Sequence, residues 1–104
     1  MNQKNYDQRQ YKLMLEVIEL FKKKEVGFPY LVSSLEALID CIDSIDSDYK
    51  RRFIMYCNEI DYNFLNLNDP DFSTERKKEL VQETEQLIEE LILLIQSKIE
   101  PEDE

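Results

Sequence analysis

Residues 80–95 read LVQETEQLIEELILLI, and this stretch decides the fold of the chain. Its apolar residues recur at helical spacing on one side: Leu80, Leu87, Leu91, Leu94 and Ile95. Glutamates and glutamines lie between them, which is the pattern of an amphipathic helix with one buried side. Ser73 or Thr74 provides an N-cap, so the sequence predicts a helix over about 74–99, the longest in the chain.

Three further helices are predicted upstream by the same spacing of apolar side chains. They cover about 5–24, about 29–43 or slightly beyond, and about 48–65. Asp46 or Ser47 is well placed to cap the third of these helices, because short polar side chains accept hydrogen bonds from the first free backbone N–H groups. The chain therefore consists almost entirely of predicted helix.

Glycine occurs once and proline three times, whereas turn-rich β folds need more of both. The 104 residues fit one domain, 1–104, with frayed ends at about 1–4 and 100–104. Short connections favour antiparallel neighbours, so we expect an all-α fold, an antiparallel or slightly irregular four-helix bundle. An elongated helical dimer is the structural alternative, because the wide apolar side of the last helix would also serve as a dimer seam.

The chain carries 23 acidic and 13 basic residues, which gives a formal net charge of −10. A surface of this sign repels phosphate backbones and anionic membranes, so we expect neither a nucleic acid nor a membrane as partner. A basic protein is the natural complement, since opposite potentials steer association. The plain alternative is that the charge only keeps a small domain in solution.

Histidine is absent, and Gly27 is the only glycine. These two facts exclude histidine-based nucleophile arrangements and glycine-rich phosphate loops. A calcium-loop count that starts at Asp69 also fails, because it lacks the central glycine and ends on Leu80 instead of glutamate. We therefore expect no enzyme activity, no catalytic residue, no cofactor and no metal site.

Cys41 and Cys57 lie among apolar neighbours and lack a metal-type spacing, so both are expected to be reduced, buried core thiols. The polar start of the chain predicts no secretion signal. The most apolar run, 91–95, is far shorter than the roughly 20 residues that a membrane span needs. Together these features predict a cytoplasmic protein.

Carboxylates cluster in three segments, 40–48, 56–62 and 69–71, and the second also contains two tyrosines. Tyrosine is enriched at protein interfaces, because it gives a large contact area with few rotatable bonds. The candidate partner-binding residues are therefore Asp40, Asp43, Asp46, Asp48, Glu59, Asp61, Tyr62 and Asp69. The alternative for each of them is a solvated acid or a tyrosine at the edge of the core.

The stretch 53–65, FIMYCNEIDYNFL, precedes a polar loop, the Ser73 cap and the long amphipathic helix. This order resembles small acidic all-helical immunity proteins that are encoded beside bacterial toxins, including those of contact-dependent growth inhibition systems. In the resemblance, Tyr56 takes the place of an aromatic residue that is often Trp, and Glu59 that of a glutamate near the end of an inner helix. It implies an antitoxin-like function: binding and neutralising a cognate toxin, often a nuclease.

Three functions follow from these observations. The first is an immunity protein that covers a basic toxin domain with an acidic and aromatic surface. The second is a secretion or assembly chaperone that holds an amphipathic partner helix in an apolar groove, and the third is a self-associating regulatory scaffold, for example a homodimer. Salt distinguishes the first two functions, because capture by charge weakens with salt and capture in a groove does so much less. A scaffold should instead form an oligomer by itself.

Overall fold

A computed structural model of the chain describes residues 3–42 and 45–99. Within these ranges the backbone forms four α-helices and no strand: α1 Gln3–Lys22, α2 Phe28–Asp40, α3 Ser47–Leu67 and α4 Thr74–Gln96. The predicted all-α fold is thereby confirmed, and α4 is the longest helix with 23 residues. None of the helices in the described ranges has the length and apolar composition to cross a membrane.

The predicted N-caps of the last two helices are both present. The Asp46 carboxylate accepts a hydrogen bond from the Tyr49 backbone N–H at 3.2 Å, which fixes the start of α3. The Ser73 hydroxyl accepts one from the Arg76 backbone N–H at 3.1 Å, which fixes the start of α4. Each bond satisfies a backbone donor that the helix itself leaves free.

The end of α2 was predicted at Asp43 or beyond, and this prediction is wrong by at least three residues. The helix ends at Asp40 because the backbone N–H groups of Cys41 and Ile42 donate to carbonyls only three residues back, in a tighter turn. Asp43 itself lies outside the described residues.

The connection between α1 and α2 contains a residue in the left-handed region. Lys24 has a φ of 63°, and its N–H donates to the Phe21 carbonyl at 2.9 Å, so the chain turns sharply after α1. Gly27 is not in this conformation; it is extended and acts as the N-cap residue of α2. The glycine thus lies three residues after the position at which its conformational freedom would be most useful.

Each helix runs antiparallel to its two neighbours, and the four together form a closed ring. The Tyr49 hydroxyl near the start of α3 donates to the Leu94 carbonyl near the end of α4 at 2.7 Å. The Gln8 amide near the start of α1 donates to the Lys98 carbonyl just after α4, also at 2.7 Å. The structure is therefore the predicted antiparallel four-helix bundle, with α1 and α4 as the last pair in the ring.

The core lies along the bundle axis and receives side chains from every helix. Residues with no solvent exposure include Met14, Leu35, Phe53, Ile60, Leu91 and Ile95. Cys57 is buried among them as predicted, but Cys41 is exposed, so its predicted burial is wrong. Cys41 follows the last residue of α2, where the helix no longer directs the side chain into the core.

The two ends of the bundle are packed differently. We call one the closed end; it is defined by Gln8, Tyr11, Tyr49, Leu94 and Lys98. Here the rings of Tyr11 and Tyr49 meet edge to face with centroids 6.3 Å apart. The Lys98 ammonium lies 4.8 Å from the centroid of the Tyr49 ring, within cation–π range.

We call the other the open end; it is defined by Phe21, Phe28, Phe64, Val81 and Thr84. The Phe28 ring packs between the other two aromatic rings, with centroids 4.6 Å from Phe21 and 4.8 Å from Phe64. Val81 on α4 is 43% exposed although its side chain is apolar. Helix α1 ends at Lys22, which contacts Glu89 and not the earlier turns of α4, so this end of the bundle is incompletely covered.

Candidate protein-binding site

Three of the predicted contact residues lie together near the closed end, where α2 leads into α3. We call this group, Asp40, Asp46 and Asp48, the corner. All three carboxylates have intramolecular partners. Asp40 forms an ion pair with Lys50 at 3.0 Å, Asp48 forms one with Arg51, and Asp46 caps α3. Their charges are thus already engaged by the fold, although the side chains are exposed.

Asp69 also has a role within the fold. Its carboxylate accepts a hydrogen bond from the Asp71 backbone N–H at 2.9 Å, two residues further along the loop between α3 and α4. This is the local turn that Asp side chains commonly form. Asp69 is half-buried and lies beyond the end of α3, whereas the corner lies at the start of α3. The two are therefore at opposite ends of the bundle.

Glu59, Asp61 and Tyr62 are exposed on α3, but they do not share one side of the helix. Glu59 and Tyr62 are three residues apart and are therefore neighbours on the surface. Asp61 is two residues from Glu59, which places it about 200° around the helix. It lies three turns after Lys50, the residue that pairs with α2, and so it faces the α2 side.

The seven described residues among the eight predicted contact residues therefore do not form one surface. Asp48 and Tyr62 are 14 positions apart on the same helix, a separation of about 21 Å at 1.5 Å per residue. The structure places Glu59 and Tyr62 together and separates them from the corner. Asp61 lies on the side of α3 that faces α2 and does not join Glu59 and Tyr62.

Glu59 and Tyr62 line two adjoining clefts between α3 and α4. The larger has a volume of about 640 Å³ and is lined by Glu59, Tyr62, Asn63, Gln82, Glu83, Gln86 and Leu87. The smaller has a volume of about 280 Å³ and is lined by Arg52, Met55, Tyr56, Glu59, Leu87 and Glu90. We call the combined surface the α3–α4 face. Glu59 and Leu87 belong to both clefts and mark its centre.

The α3–α4 face combines large apolar side chains with three carboxylates, those of Glu59, Glu83 and Glu90, and one cation, Arg52. Tyr62 is 64% exposed and Met55 is 55% exposed, and they stand on the same side of α3. Glu83 is 3.6 Å from Arg76. Within the described ranges, Glu59 and Glu90 form no ion pair. The face thus presents two carboxylates that the fold does not use.

A buried polar pair holds the two helices together beneath this face. The Asn63 amide donates to the Thr84 hydroxyl at 3.3 Å, and that hydroxyl donates to the Leu80 carbonyl at 2.7 Å. Both residues are buried, and no buried side-chain polar atom in the described part of the chain lacks a hydrogen-bond partner. Because a mismatch would leave these groups unsatisfied, the pair fixes the register of α3 against α4.

Sequence reasoning missed the α4 half of the face. Glu83, Gln86 and Glu90 recur at i, i+3 and i+7, so their common side of the helix could have been read from the sequence. Which neighbouring helix that side meets depends on the spatial order of the bundle, which no local spacing encodes. Met55 was missed because a single apolar residue on an exposed side carries little signal.

The face contains little that suggests chemistry. No group of three or more Cys, Asp or Glu residues in the described ranges is arranged to hold a metal ion. The nearest thiol, Cys57, is buried on the inner side of α3. Burial raises the pKa of this thiol to about 12, and the charge of Glu36 adds to the effect, so it is held as the neutral thiol.

Comparison with known proteins gave no match for this chain among family models, curated proteins or solved structures.

Proposed function

We propose that this protein binds and neutralises a cognate toxin that has a basic surface, in particular a nuclease domain, through the α3–α4 face. In this proposal it acts as a stoichiometric inhibitor in the cytoplasm, with no turnover and no cofactor. The observation that carries the proposal is that two exposed side chains, Tyr62 and Met55, lie on the same face as two carboxylates that form no ion pair within the described residues, Glu59 and Glu90.

The composition of the face supports protein binding because hot spots combine a desolvated aromatic anchor with a surrounding ring of other contacts. Tyr62 is available as the anchor, and the apolar side chains of Met55 and Leu87 extend the contact area beside it. Carboxylates that become buried against partner lysines or arginines form the strong class of charged contact.

The net charge of −10 supports a basic partner. The field of the whole molecule would raise the rate of encounter with a basic domain, and the local carboxylates would fix its orientation. A nuclease presents basic side chains to the phosphates of its substrate. An acidic inhibitor that covers them competes with the nucleic acid for the same charges.

The residues that carry the family resemblance also support this assignment. Tyr56 and Glu59 both line the smaller cleft of the α3–α4 face. The resemblance and the geometry thus point to the same part of the surface, by separate routes.

The test uses two variants that change charge equally. Glu59→Lys with Glu90→Lys alters the face, while Glu16→Lys with Asp61→Lys alters exposed acids elsewhere. Each tagged protein is used to capture its partner from the host at low and high salt, and the partner identified from the wild-type capture is then purified. Affinity for the purified partner is measured by calorimetry, and neutralisation by growth rescue of cells that express it.

We expect the face variant to lose about 2–5 kcal/mol of binding free energy, because each reversed acid leaves a partner cation opposed by a like charge. The control variant should keep its dissociation rate and lose affinity only in proportion to a modestly slower association rate. The proposal fails if the captured partner does not arrest growth, or if the two variants bind it equally well.

A further inference from the structure

The open end contains a second concave surface that the α3–α4 face does not include. It is a groove of about 940 Å³ between the end of α1 and the middle of α4. Its floor is apolar and consists of Phe21, Val26, Phe28, Leu67, Val81 and Ile88. We call it the α1–α4 groove. Its volume lies within the range of about 300–1,000 Å³ that is usual for binding pockets.

The groove exists because α1 is too short to cover α4. Helix α1 ends at Lys22, whose ammonium is 2.8 Å from the Glu89 carboxylate. The chain then turns away into α2 at Lys24, while α4 extends a further 15 residues towards its start at Thr74. The side of α4 that faces α1 is consequently without a covering helix over this length, whereas the side that faces α3 stays packed.

The dimensions of the groove suit a helical segment. Its lining residues on α4 run from Val81 to Glu89, which is about 12 Å along the helix axis, or just over two turns. An amphipathic helix docks in such a groove through side chains spaced at i, i+3 or i+4, and i+7. A segment of two to three turns would therefore cover the exposed part of Val81 and the apolar floor beside it.

The charges at the edge favour a basic occupant. On α4 the edge carries Glu85 and Glu89, and Lys22 already neutralises Glu89. Within the described ranges Glu85 forms no ion pair. Lys24 and Glu25, adjacent in the turn, oppose each other in sign. The remaining charge at the edge is thus negative, in agreement with the net charge of the chain.

We propose that the α1–α4 groove is a docking site for an amphipathic helix of a partner protein whose flanks are basic. Apolar residues of that helix lie on Phe28, Leu67 and Val81, and a lysine or arginine pairs with Glu85. Gln82 and Gln86 line both this groove and the α3–α4 face, so α4 forms a ridge between two binding surfaces. Binding in the α1–α4 groove does not require the function proposed for the α3–α4 face.

The test uses a synthetic 14-residue helix with leucines at i, i+3, i+4 and i+7, with lysines on its flanks, and a matched peptide with glutamates in their place. Binding to the full chain is followed by fluorescence anisotropy. Val81→Gln removes a groove contact, and Leu93→Gln is the matched control, since Leu93 is also exposed on α4 and lies outside the groove. Glu85→Gln is paired in the same way with Glu16→Gln, because Glu16 is an exposed acid that lies outside both the groove and the α3–α4 face.

We expect the lysine peptide to bind at least tenfold more tightly than the glutamate peptide. Val81→Gln should weaken that binding about tenfold and Glu85→Gln about threefold, with the two controls near the wild-type value. Equal effects of Val81→Gln and Leu93→Gln would show non-specific attraction to an acidic protein and would overturn the proposal. Displacement of the lysine peptide by dodecanoate, with tighter binding of that acyl chain, would assign the groove to a lipid instead.

Discussion

The closed end and the open end are built from the same four helices, yet their surface side chains differ. Those at the closed end are bonded within the fold, and several towards the open end are exposed and without a partner among the described residues. At the closed end, Tyr49 is buried with its hydroxyl bonded to α4, and the nearby acids of the corner cap α3 or pair with bases. Towards the open end, Tyr62 and Val81 are exposed and Glu59 has no cationic partner in the described part of the chain.

This difference shows that residue type alone does not identify a binding surface. Asp46 and Glu59 are both exposed acids, but one closes a helix terminus and the other has no role inside the fold that its contacts reveal. A carboxylate that the fold already uses is a poor candidate for a partner, because binding would have to replace an existing interaction. The surface available for a partner therefore lies where the side chains have no hydrogen bond or ion pair within the fold.

The largest expected effect comes from the core. Phe53 has no exposed surface, so Phe53→Ala should lower the free energy of unfolding by about 3–5 kcal/mol through lost burial and a residual cavity. Leu65→Ala, at an exposed position near the open end, should change it by less than about 0.5 kcal/mol. Urea denaturation followed by circular dichroism measures both. Similar losses would mean that the exposed side chain is packed after all.

A smaller effect distinguishes the two kinds of acid. Asp46→Ala removes the N-cap of α3 and should destabilise the protein by about 1 kcal/mol. Glu59→Ala should leave the midpoint of the same denaturation curve almost unchanged, because no ion pair is lost. If Glu59→Ala were the more damaging substitution, the division between structural acids and available acids would not hold.

An effect of about the same size as the loss of the Asp46 cap concerns Tyr49 at the closed end. Tyr49→Phe keeps the ring and removes the hydrogen bond to the Leu94 carbonyl, a loss of about 0.5–1.5 kcal/mol near neutral pH. Burial raises the pKa of this phenol above its ordinary 10.0, and the charge of Tyr11 adds to the shift, against the opposing effect of Arg52.

The sign of the pH dependence follows from that shift. The unfolded chain loses the Tyr49 proton at a lower pH than the folded chain does, so the wild-type protein should lose stability as the pH rises above about 10. Tyr49→Phe should show a shallower decrease over the same range. Chemical denaturation at pH 8, 10 and 11 measures the difference, and parallel curves for the two proteins would contradict it.

The sequence was sufficient for the parts of the structure that depend on local pattern. The apolar spacing predicted the four helices, and the positions of Asp46 and Ser73 predicted two caps. The separation of Asp61 from Glu59 and Tyr62 was also readable, since residues two apart on a helix never face the same way. The predicted set of contact residues nevertheless includes residues that lie on different sides of α3.

Other features depend on where the helices lie in space, and the local sequence pattern does not predict them. The contribution of Glu83 and Glu90 to the α3–α4 face required knowing that α4 packs beside α3. The exposure of Val81 required knowing where α1 ends relative to α4. The exposure of Cys41 follows from an early end of α2, which the apolar pattern did not mark.

The contact between Gln8 and Lys98 has a consequence for the order of folding. It joins residues 90 positions apart, whereas the other helix pairs in the ring are neighbours along the chain. Local contacts form quickly and distant ones carry a larger loop-closure entropy, so the three neighbouring pairs should form before the α1–α4 seam closes. Opening of this seam is then the least expensive partial opening, and the amide protons of α1 should exchange with solvent sooner than those of α3. The seam that folds last is also the one that borders the α1–α4 groove, so a ligand there would act on the slowest-forming part of the molecule.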